Sequence, residues 1–294
     1  AQNQGADSTS ALLRLGELQE HRGEIDEAEQ TYRQLLDRNP SDSSARLRLA
    51  ELALTRGQLD KADSMFREIL TQGGTPDIVR AAGRGTLDLA EARSTTLEVV
   101  EVALDWSRRS PSSAEAREFL LAALERTHQA ELRDWLGLDS NAKASANKRV
   151  PLLRGALIRA LARAPIGERM EAAHYLGQLE LPETAASLAR IGSQLTPPRG
   201  ATHTVQTTYR ETRATALWAA GNLDDRDAIP VFRDLLTQPE RHNIVRYASA
   251  WALARSQHAQ ATRELRKYIR GHDDALLTSL ACIAATSDHD LQAQ

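Results

Sequence analysis

Residue types that could bind a metal ion or catalyse hydrolysis are few and scattered in this sequence. His272, Asp273 and Asp274 are adjacent and could form half of a metal-dependent phosphohydrolase site. Such a site needs further histidine and aspartate ligands on neighbouring helices, and the sequence shows no arrangement of that kind. We therefore interpret Asp273 as a helix cap and His272 as an exposed side chain. His289, which lies between two aspartates, is interpreted as part of a solvated tail.

Other catalytic signatures are also missing from the sequence. There is no glycine-rich phosphate loop, HExxH, GxSxG or CxxCH motif. Gly83-Arg84-Gly85 is too short for phosphate binding and indicates a helix with flexible packing. The single cysteine, Cys282, lies in an apolar run and excludes a disulfide framework. We therefore predict no catalytic residues, no metal site and no cofactor, and we expect that the protein is not an enzyme.

The elements that position side chains repeat along the chain from Leu12 to Gly74. At an offset of 34 residues, the two halves of this stretch match in size and polarity. The matched pairs are Leu15 with Leu49, Gly16 with Ala50, Gly23 with Gly57, Ala28 with Ala62, and Tyr32 with Phe66. A fixed period of this length is typical of stacked helical hairpins. The apolar spacing predicts helices over 9–22, 25–38, 43–56 and 59–72.

These two units resemble tetratricopeptide repeats over residues 9–74. The family's pattern is carried by Leu12, Leu15, Gly16, Ala28, Tyr32 and Pro40, and then by Leu49, Ala50, Ala62 and Phe66. Arg46 and Gly74 depart from the pattern in the second unit. The resemblance implies that small residues allow the two helices of each hairpin to approach closely, with Tyr32 filling the adjacent space.

The remainder of the chain indicates a second kind of repeat. We expect a disordered lead-in over 1–8, degenerate hairpins that complete a region from 9 to 137, and a linker over 138–148. The second region is expected to run from 149 to 294, and over roughly 165–290 it resembles short HEAT-like repeats. The residues that carry this resemblance are Arg213, Ala216, Gly221, Leu223, Ala228, Pro230 and Leu235. The predicted fold class is all-α, an α-solenoid of antiparallel helical hairpins in which tetratricopeptide repeats are followed by HEAT-like repeats.

The resemblance to tetratricopeptide repeats also implies which side chains face the binding groove. The first helix of each hairpin lines the groove, which in this register exposes Ser10, Leu13, Glu17, Glu20, Ser44, Leu47, Glu51 and Leu54. Family members that clamp a C-terminal carboxylate use lysine and asparagine here, whereas this chain has Leu13 and Glu17. A mixed acidic and apolar groove favours a basic or amphipathic partner segment. A solvated helix face without a ligand is the other interpretation.

One insertion interrupts the second set of repeats. Residues 196–205 read TPPRGATHTV and separate two units whose spacing elsewhere is about 33 residues. Insertions in solenoids project as loops that often carry function, so Arg199 and His203 are candidate partner contacts. A tolerated surface insertion explains the segment equally well, because loop length costs little stability.

Tryptophans and arginines of the second half are residue types that could bind nucleic acid, so we consider that function as an alternative. Trp218 and Trp251 lie 33 residues apart, and we predict that they pack between repeats rather than stack on bases. Five arginines could line a phosphate-binding face: Arg241, Arg246, Arg263, Arg266 and Arg270. The basic excess of this half is small, so nucleic-acid binding is the less favoured interpretation.

The favoured function is a protein–protein interaction scaffold that binds its partner on a concave surface. The alternatives are a nucleic-acid-binding solenoid and the repeat portion of a larger extracytoplasmic assembly, one that could transfer electrons. No apolar run is long enough to span a membrane. Arginine outnumbers lysine in an alanine-rich chain, which indicates a bacterial source. The start without methionine fits either a trimmed chain or a mature protein after removal of a signal peptide, and the single cysteine is compatible with the periplasm, so we expect the periplasm rather than the cytoplasm.

Overall fold

The computed structural model describes residues 2–138, 148–237 and 243–271, and the regular structure in these ranges is entirely helical. The chain divides into two compact units, Ala1–Glu131 and Leu132–Gln294. Each unit consists of helices joined by short turns into hairpins, and successive hairpins pack on one another. This architecture confirms the predicted all-α solenoid of tetratricopeptide and HEAT repeats.

The first unit is built from hairpins whose second helix contacts the first helix of the next hairpin. Its helices are α1 (Gln2–His21), α2 (Ile25–Arg38), α3 (Ser43–Thr55), α4 (Leu59–Gln72), α5 (Pro76–Arg93), α6 (Thr96–Arg109) and α7 (Ala114–Glu125). Helix α8 (Gln129–Trp135) begins in this unit and ends in the second. The C-terminal ends of the first four helices match the predicted ends to within one residue, because each helix stops just before a glycine or an Asn-Pro pair.

Two glycines one repeat apart terminate the first helix of successive hairpins. Gly23 has φ +78° and Gly57 has φ +69°, a left-handed conformation that glycine adopts without steric cost. The N–H of Gly57 donates to the Leu54 carbonyl at 2.9 Å, and the N–H of Gln58 donates to the Ala53 carbonyl at 2.8 Å. These bonds satisfy carbonyls that the helix end would otherwise leave unpaired.

The core of the first hairpin contains the small residues that the resemblance implied. Ala28 and Tyr32 are fully buried. A Cβ on Gly16 would lie 2.4 Å from Cε1 of Tyr32, so only glycine lets α1 and α2 approach this closely. These residues join Leu35, Leu49 and their neighbours in one apolar cluster across α2 and α3.

Two elements of the first unit differ from the sequence-based expectation. Helix α1 begins at Gln2, so it includes most of the segment 1–8 that we expected to be disordered. Extending a helix from an existing turn costs much less than nucleating one, which allows a polar segment to continue α1. Helix α5 has 18 residues where α3 has 13, and this extra length explains why the 34-residue period is lost after residue 76.

The second unit begins within α8. Leu132 and Leu136 are buried, and the Arg133 guanidinium donates to the Gln178 carbonyl at 3.1 Å. The guanidinium of Arg149 lies 4.4 Å from the centre of the Trp135 ring. The division between the units therefore precedes the expected linker at 138–148, of which residues 139–147 lie outside the described part of the chain.

Helices of the second unit pack through small residues and a tryptophan pair. They are α9 (Arg149–Arg163), α10 (Ile166–Gln178), α11 (Ala185–Gln194), α12 (His203–Asn222), α13 (Ile229–Thr237), α14 (Asn243–Arg255) and α15 (Ala259–Gly271). A Cβ on Gly177 would lie 2.9 Å from Ala219 Cβ, and one on Gly221 would lie 2.7 Å from Ala252 Cβ. The Trp218 and Trp251 rings meet edge to face at 4.3 Å, as predicted for packing between repeats.

Candidate protein-interaction surfaces

Glutamates predicted to face the groove of the first two hairpins are brought together by an arginine. Arg48 of α3 contacts Glu17 of α1 at 3.4 Å and Glu51 of its own helix at 3.2 Å. These three side chains are 39%, 39% and 44% exposed, so the bridge is open to solvent. The structure therefore brings Glu17 of α1 and Glu51 of α3 into one cluster around Arg48.

Glu20 belongs to the same cluster. Its carboxylate lies beside the buried phenol of Tyr32, where burial and the negative charge of Glu20 both raise the pKa of Tyr32. Burial alone would lower the pKa of Arg48, but Glu51 and Glu20 outweigh it and raise that pKa. We call Glu17, Glu20, Glu51 and Arg48 the acidic patch, in which three carboxylates surround one guanidinium.

Sequence reasoning missed Arg48, although its position carried a signal. It lies three residues before Glu51, a spacing that places oppositely charged side chains side by side on a helix. The Arg48 guanidinium partly neutralises the negative charge of the groove, which the sequence analysis described by its glutamates and leucines alone. Because the patch has three carboxylates and one guanidinium, it keeps a net negative charge.

Leucines predicted to line the groove are only partly available to a ligand. Leu13, Leu47 and Leu54 are each half-buried. Leu13 packs against the apolar cluster of the first hairpins, so part of its surface stabilises the fold. The exposed remainder of these side chains flanks the charged residues of the same two helices.

A second feature of the first unit is a cleft of about 330 Å³ between α5 and α7. Val79, Gly83, Phe119 and Ala122 line its walls, and Trp106 of α6 lies against Phe119 with ring centres 5.9 Å apart. Gly83 is buried, and a Cβ there would lie 3.0 Å from the Phe119 ring. The Gly-Arg-Gly segment is thus a point of close packing, which corrects our interpretation of it as flexible.

Charged residues of both signs surround this cleft. Arg80 and Arg84 come from α5, while Glu115 and Glu118 come from α7. A hydrogen bond from its own backbone N–H and one from the Ser113 hydroxyl lower the pKa of Glu115. The cleft therefore combines an apolar, aromatic interior with ionised side chains at its edge. The repeat register did not reveal it, because the period is lost in α5.

The candidate contacts Arg199 and His203 belong to the second unit. Both are exposed. The segment 196–205 is only partly a loop, since α12 starts at His203 after the Thr202 side chain accepts a hydrogen bond from the Val205 N–H at 3.4 Å. This helix cap explains why the last three residues of the insertion are helical.

The arginines considered for nucleic-acid binding differ in their exposure and in their hydrogen bonds. Arg246 donates to the Tyr268 hydroxyl at 2.6 Å, and Arg263 and Arg270 are exposed on α15. Arg241 lies outside the described residues, as do Cys282 and the segments around His272 and His289.

Within residues 2–138, 148–237 and 243–271, no group of three or more histidine, cysteine, aspartate or glutamate residues could hold a metal ion. None of the helices described in those ranges is both long and apolar enough to cross a membrane.

Comparisons with known proteins agree with the repeat assignment. Residues 21–82 match a tetratricopeptide repeat model, and residues 203–285 match a model of HEAT repeats. No curated protein matches the chain. A solved structure of human deoxyhypusine hydroxylase in complex with glycerol is similar over 95% of both chains, with 18% identity and a TM-score of 0.37, which is too remote to transfer an activity. The chain thus contains tetratricopeptide repeats followed by HEAT repeats, both of which are generally protein-interaction motifs.

Proposed function

We propose that the chain is a non-catalytic scaffold whose first unit binds a basic or amphipathic segment of a partner protein at the acidic patch. The observation that carries this proposal is the bridge from Arg48 to Glu17 and Glu51. It joins carboxylates of two successive repeats into one exposed cluster, with Glu20 beside it. A lysine or arginine of a partner would meet preassembled acceptors there.

Apolar features of the first unit complement this charge. Leu47 and Leu54 leave part of their surface accessible on α3. The cleft between α5 and α7 is large enough for one apolar side chain and has Trp106 and Phe119 in its lining. Buried aromatic anchors supply much of the binding energy in protein interfaces, while charges set specificity and association rate. In the second unit, Arg199 and His203 are the contacts that we propose for further partner binding.

Charge reversal at the patch tests this proposal. We would measure the fluorescence anisotropy of a labelled amphipathic peptide of lysine and leucine on the wild-type chain and on Glu17→Lys/Glu51→Lys. We expect saturable binding that weakens when NaCl rises from about 50 to about 200 mM, because the contacts are exposed. We expect at least about a tenfold loss of affinity in the double variant.

A matched control changes the same charges elsewhere. Glu24 and Glu27 are exposed at the start of the neighbouring helix, so Glu24→Lys/Glu27→Lys alters net charge equally but leaves the patch intact. Equal weakening in both double variants would mean that net charge, not the patch, attracts the peptide. Salt-sensitive binding of duplex DNA with no peptide binding would favour the nucleic-acid alternative and contradict our proposal.

A further inference from the structure

Two helices of the first unit, α5 and α7, face each other across the cleft and form an ion pair just beyond it. The guanidinium of Arg126, at the end of α7, contacts the Asp88 carboxylate of α5 at 2.6 Å. Arg84 lies one turn before Asp88, and Glu118 lies two turns before Arg126. Both line the cleft, but neither forms an ion pair with any residue that the structure describes. We call Arg84 and Glu118 the rim charges.

Charged residues on other neighbouring helices of the first unit form direct pairs. Arg93 of α5 contacts Asp60 of α4 at 2.9 Å, and Arg67 of α4 contacts Glu98 of α6 at 3.6 Å. The rim charges depart from this pattern, although they have opposite signs and line the same cleft. They are therefore available to charged groups of a ligand.

The other two charges around the cleft have partners on their own helix or its cap. Arg80 donates to Asp77 at 2.6 Å, and the Ser113 hydroxyl donates to Glu115 at 2.9 Å. The hydrogen bond to Asp77 raises the pKa of Arg80, and the negative charges of Glu118 and Glu115 raise it further. The carboxylates of α7 are thus close enough to act on the arginine side of the cleft.

The interior of the cleft is apolar. Val79, Leu87, Trp106 and Phe119 are buried and line a volume of about 330 Å³. This volume suits one large apolar side chain. A ligand that complements both the interior and the rim charges needs an apolar group, a carboxylate for α5 and a cation for α7.

Building on the proposed function, we propose that the partner segment is a helix that carries an apolar anchor side chain between one acidic and one basic residue. The anchor occupies the cleft, while the acidic residue contacts Arg84 and the basic residue contacts Glu118. Residues one turn before and one turn after the anchor lie on the same face of a helix, so all three can meet the cleft. The acidic patch selects for positive charge, whereas the rim charges select for one charge of each sign.

Three labelled peptides test this charge pattern. They differ only four residues before and four residues after a central leucine, where they carry glutamate and lysine, two glutamates or two lysines. An i,i+4 lactam on the opposite side keeps each peptide helical, to be verified by circular dichroism. In fluorescence anisotropy on the wild-type chain, we expect the mixed peptide to bind at least about threefold more tightly than the other two. Replacing its leucine by alanine should remove most of the binding.

Charge reversal of each rim charge should change which peptide is preferred. Glu118→Arg should prefer the peptide with two glutamates, and Arg84→Glu should prefer the peptide with two lysines. A gain of affinity for a matched peptide cannot result from misfolding of the variant. Glu125→Arg, at an exposed position of α7, changes the net charge as Glu118→Arg does and should keep the preference for the mixed peptide.

Several outcomes would overturn the proposal. They are equal binding of the three peptides to the wild-type chain, absence of binding, or the same preference in Glu118→Arg and Arg84→Glu as in wild type. A wild-type dimer in light scattering that Glu118→Arg converts to a monomer would assign the cleft to a second copy and also overturn it.

Failure here can be distinguished from failure of the proposed function. The peptide of lysine and leucine used for the acidic patch, the lysine-rich peptide, reports on Glu17→Lys/Glu51→Lys. If that variant weakens the lysine-rich peptide while the three leucine peptides bind equally, the acidic patch is supported and the role of the cleft is overturned. A preference for the mixed peptide that switches with the rim charges supports the cleft even if the patch variant binds normally.

Discussion

Successive hairpins are held together differently in the two units. We compare the contact of α2 with α3 in the first unit and that of α12 with α14 in the second. In the first unit, Glu29 of α2 is buried and pairs with Arg33, with Arg56 at the end of α3 and with Lys61 of α4. One carboxylate thus ties three helices together with long, flexible cations around an apolar cluster.

The second unit relies on close backbone approach instead. Gly221 of α12 lies directly against Ala252 and the Trp251 ring of α14. After α12, Asp224 adopts φ +46° and both its carboxylate oxygens accept the Gln257 N–H at 3.2 Å. Here the contact is made by atoms that have almost no freedom to move.

This difference predicts that the stability of the two units responds to different kinds of substitution. Stacking through long charged side chains tolerates changes of size but depends on ionisation. Stacking through glycine, alanine and a fixed turn tolerates changes of charge but not of volume. The following substitutions test that contrast.

We expect the largest loss of stability from Gly221→Ala. The added methyl group would meet Ala252 Cβ at 2.7 Å, its Cα at 3.1 Å and the Trp251 ring at 2.9 Å. Because a backbone atom cannot move aside, we expect the free energy of unfolding of the second unit to fall by roughly 3 kcal/mol. Urea unfolding followed by tryptophan fluorescence would measure it.

Gly155→Ala is the matched control in the same unit. The only nearby atom is Arg159 Nη1, at 3.4 Å at the end of a mobile side chain. Alanine there should stabilise α9 by roughly 0.5–1 kcal/mol through its higher helix propensity. Equal effects of the two substitutions would contradict the idea that close approach holds the second unit.

Glu29→Gln should cause the next largest loss of stability. The amide keeps the size of the side chain but leaves buried contacts with Arg56 and Lys61 uncompensated. We expect the free energy of unfolding of the first unit to fall by about 2 kcal/mol, measured by urea unfolding. Glu27→Gln, an exposed position on the same helix, should change it by less than about 0.5 kcal/mol.

The same carboxylate predicts a dependence on pH. Burial alone would raise the pKa of Glu29, but Lys61, Arg33 and Arg56 outweigh it and hold the pKa below 4.5. A group with a lowered pKa stabilises the fold above its unfolded value, and that stabilisation is lost as the pH falls through the folded value. We expect the full advantage of wild type over Glu29→Gln above about pH 6, and a progressive loss of it as the pH falls from about 5 through the lowered pKa of Glu29. A constant difference over this range would exclude ionised Glu29 as its source.

We expect a smaller loss of stability from Asp224→Ala. Alanine cannot accept the Gln257 N–H and is unfavourable at a positive φ. Because Asp224 is partly exposed, we expect a cost of only about 1 kcal/mol, seen as a lower melting temperature of the second unit. Asp227→Ala in the same turn loses no side-chain acceptor contact in the described structure and should be neutral. If Asp224→Asn also costs as much as alanine, the charge rather than the turn geometry is responsible.

Periodicity was sufficient to predict the fold, because each repeat encodes its own hairpin. Gly16, Ala28 and Tyr32 define the crossing of α1 and α2 locally, and the same pattern 34 residues later repeats it. The same reasoning extends to α5, whose 18 helical residues, against 13 in α3, account for the loss of the 34-residue period after residue 76. The place where the two units divide depends on tertiary contacts of Arg133 and Trp135, which a local pattern does not contain.

Surface chemistry was less predictable than the fold. The register identified Glu17 and Glu51 as neighbours but not the Arg48 guanidinium between them, since the rotamer of a long side chain is decided by both helices. Exposure of Leu15 was likewise hidden, because its repeat partner Leu49 is buried.

The smallest change in stability but the clearest change in binding is expected from Arg48→Gln. Its ion pairs with Glu17 and Glu51 are exposed, and pairs of that kind contribute about 0–1 kcal/mol. We therefore expect the melting temperature to stay nearly constant, unlike in Glu29→Gln. Removing the cation leaves three carboxylates unopposed, so the lysine-rich peptide should bind several-fold more tightly at low salt. Weaker binding in Arg48→Gln would show that Arg48 itself contacts the ligand, and the acidic patch would then be assigned to an acidic partner instead.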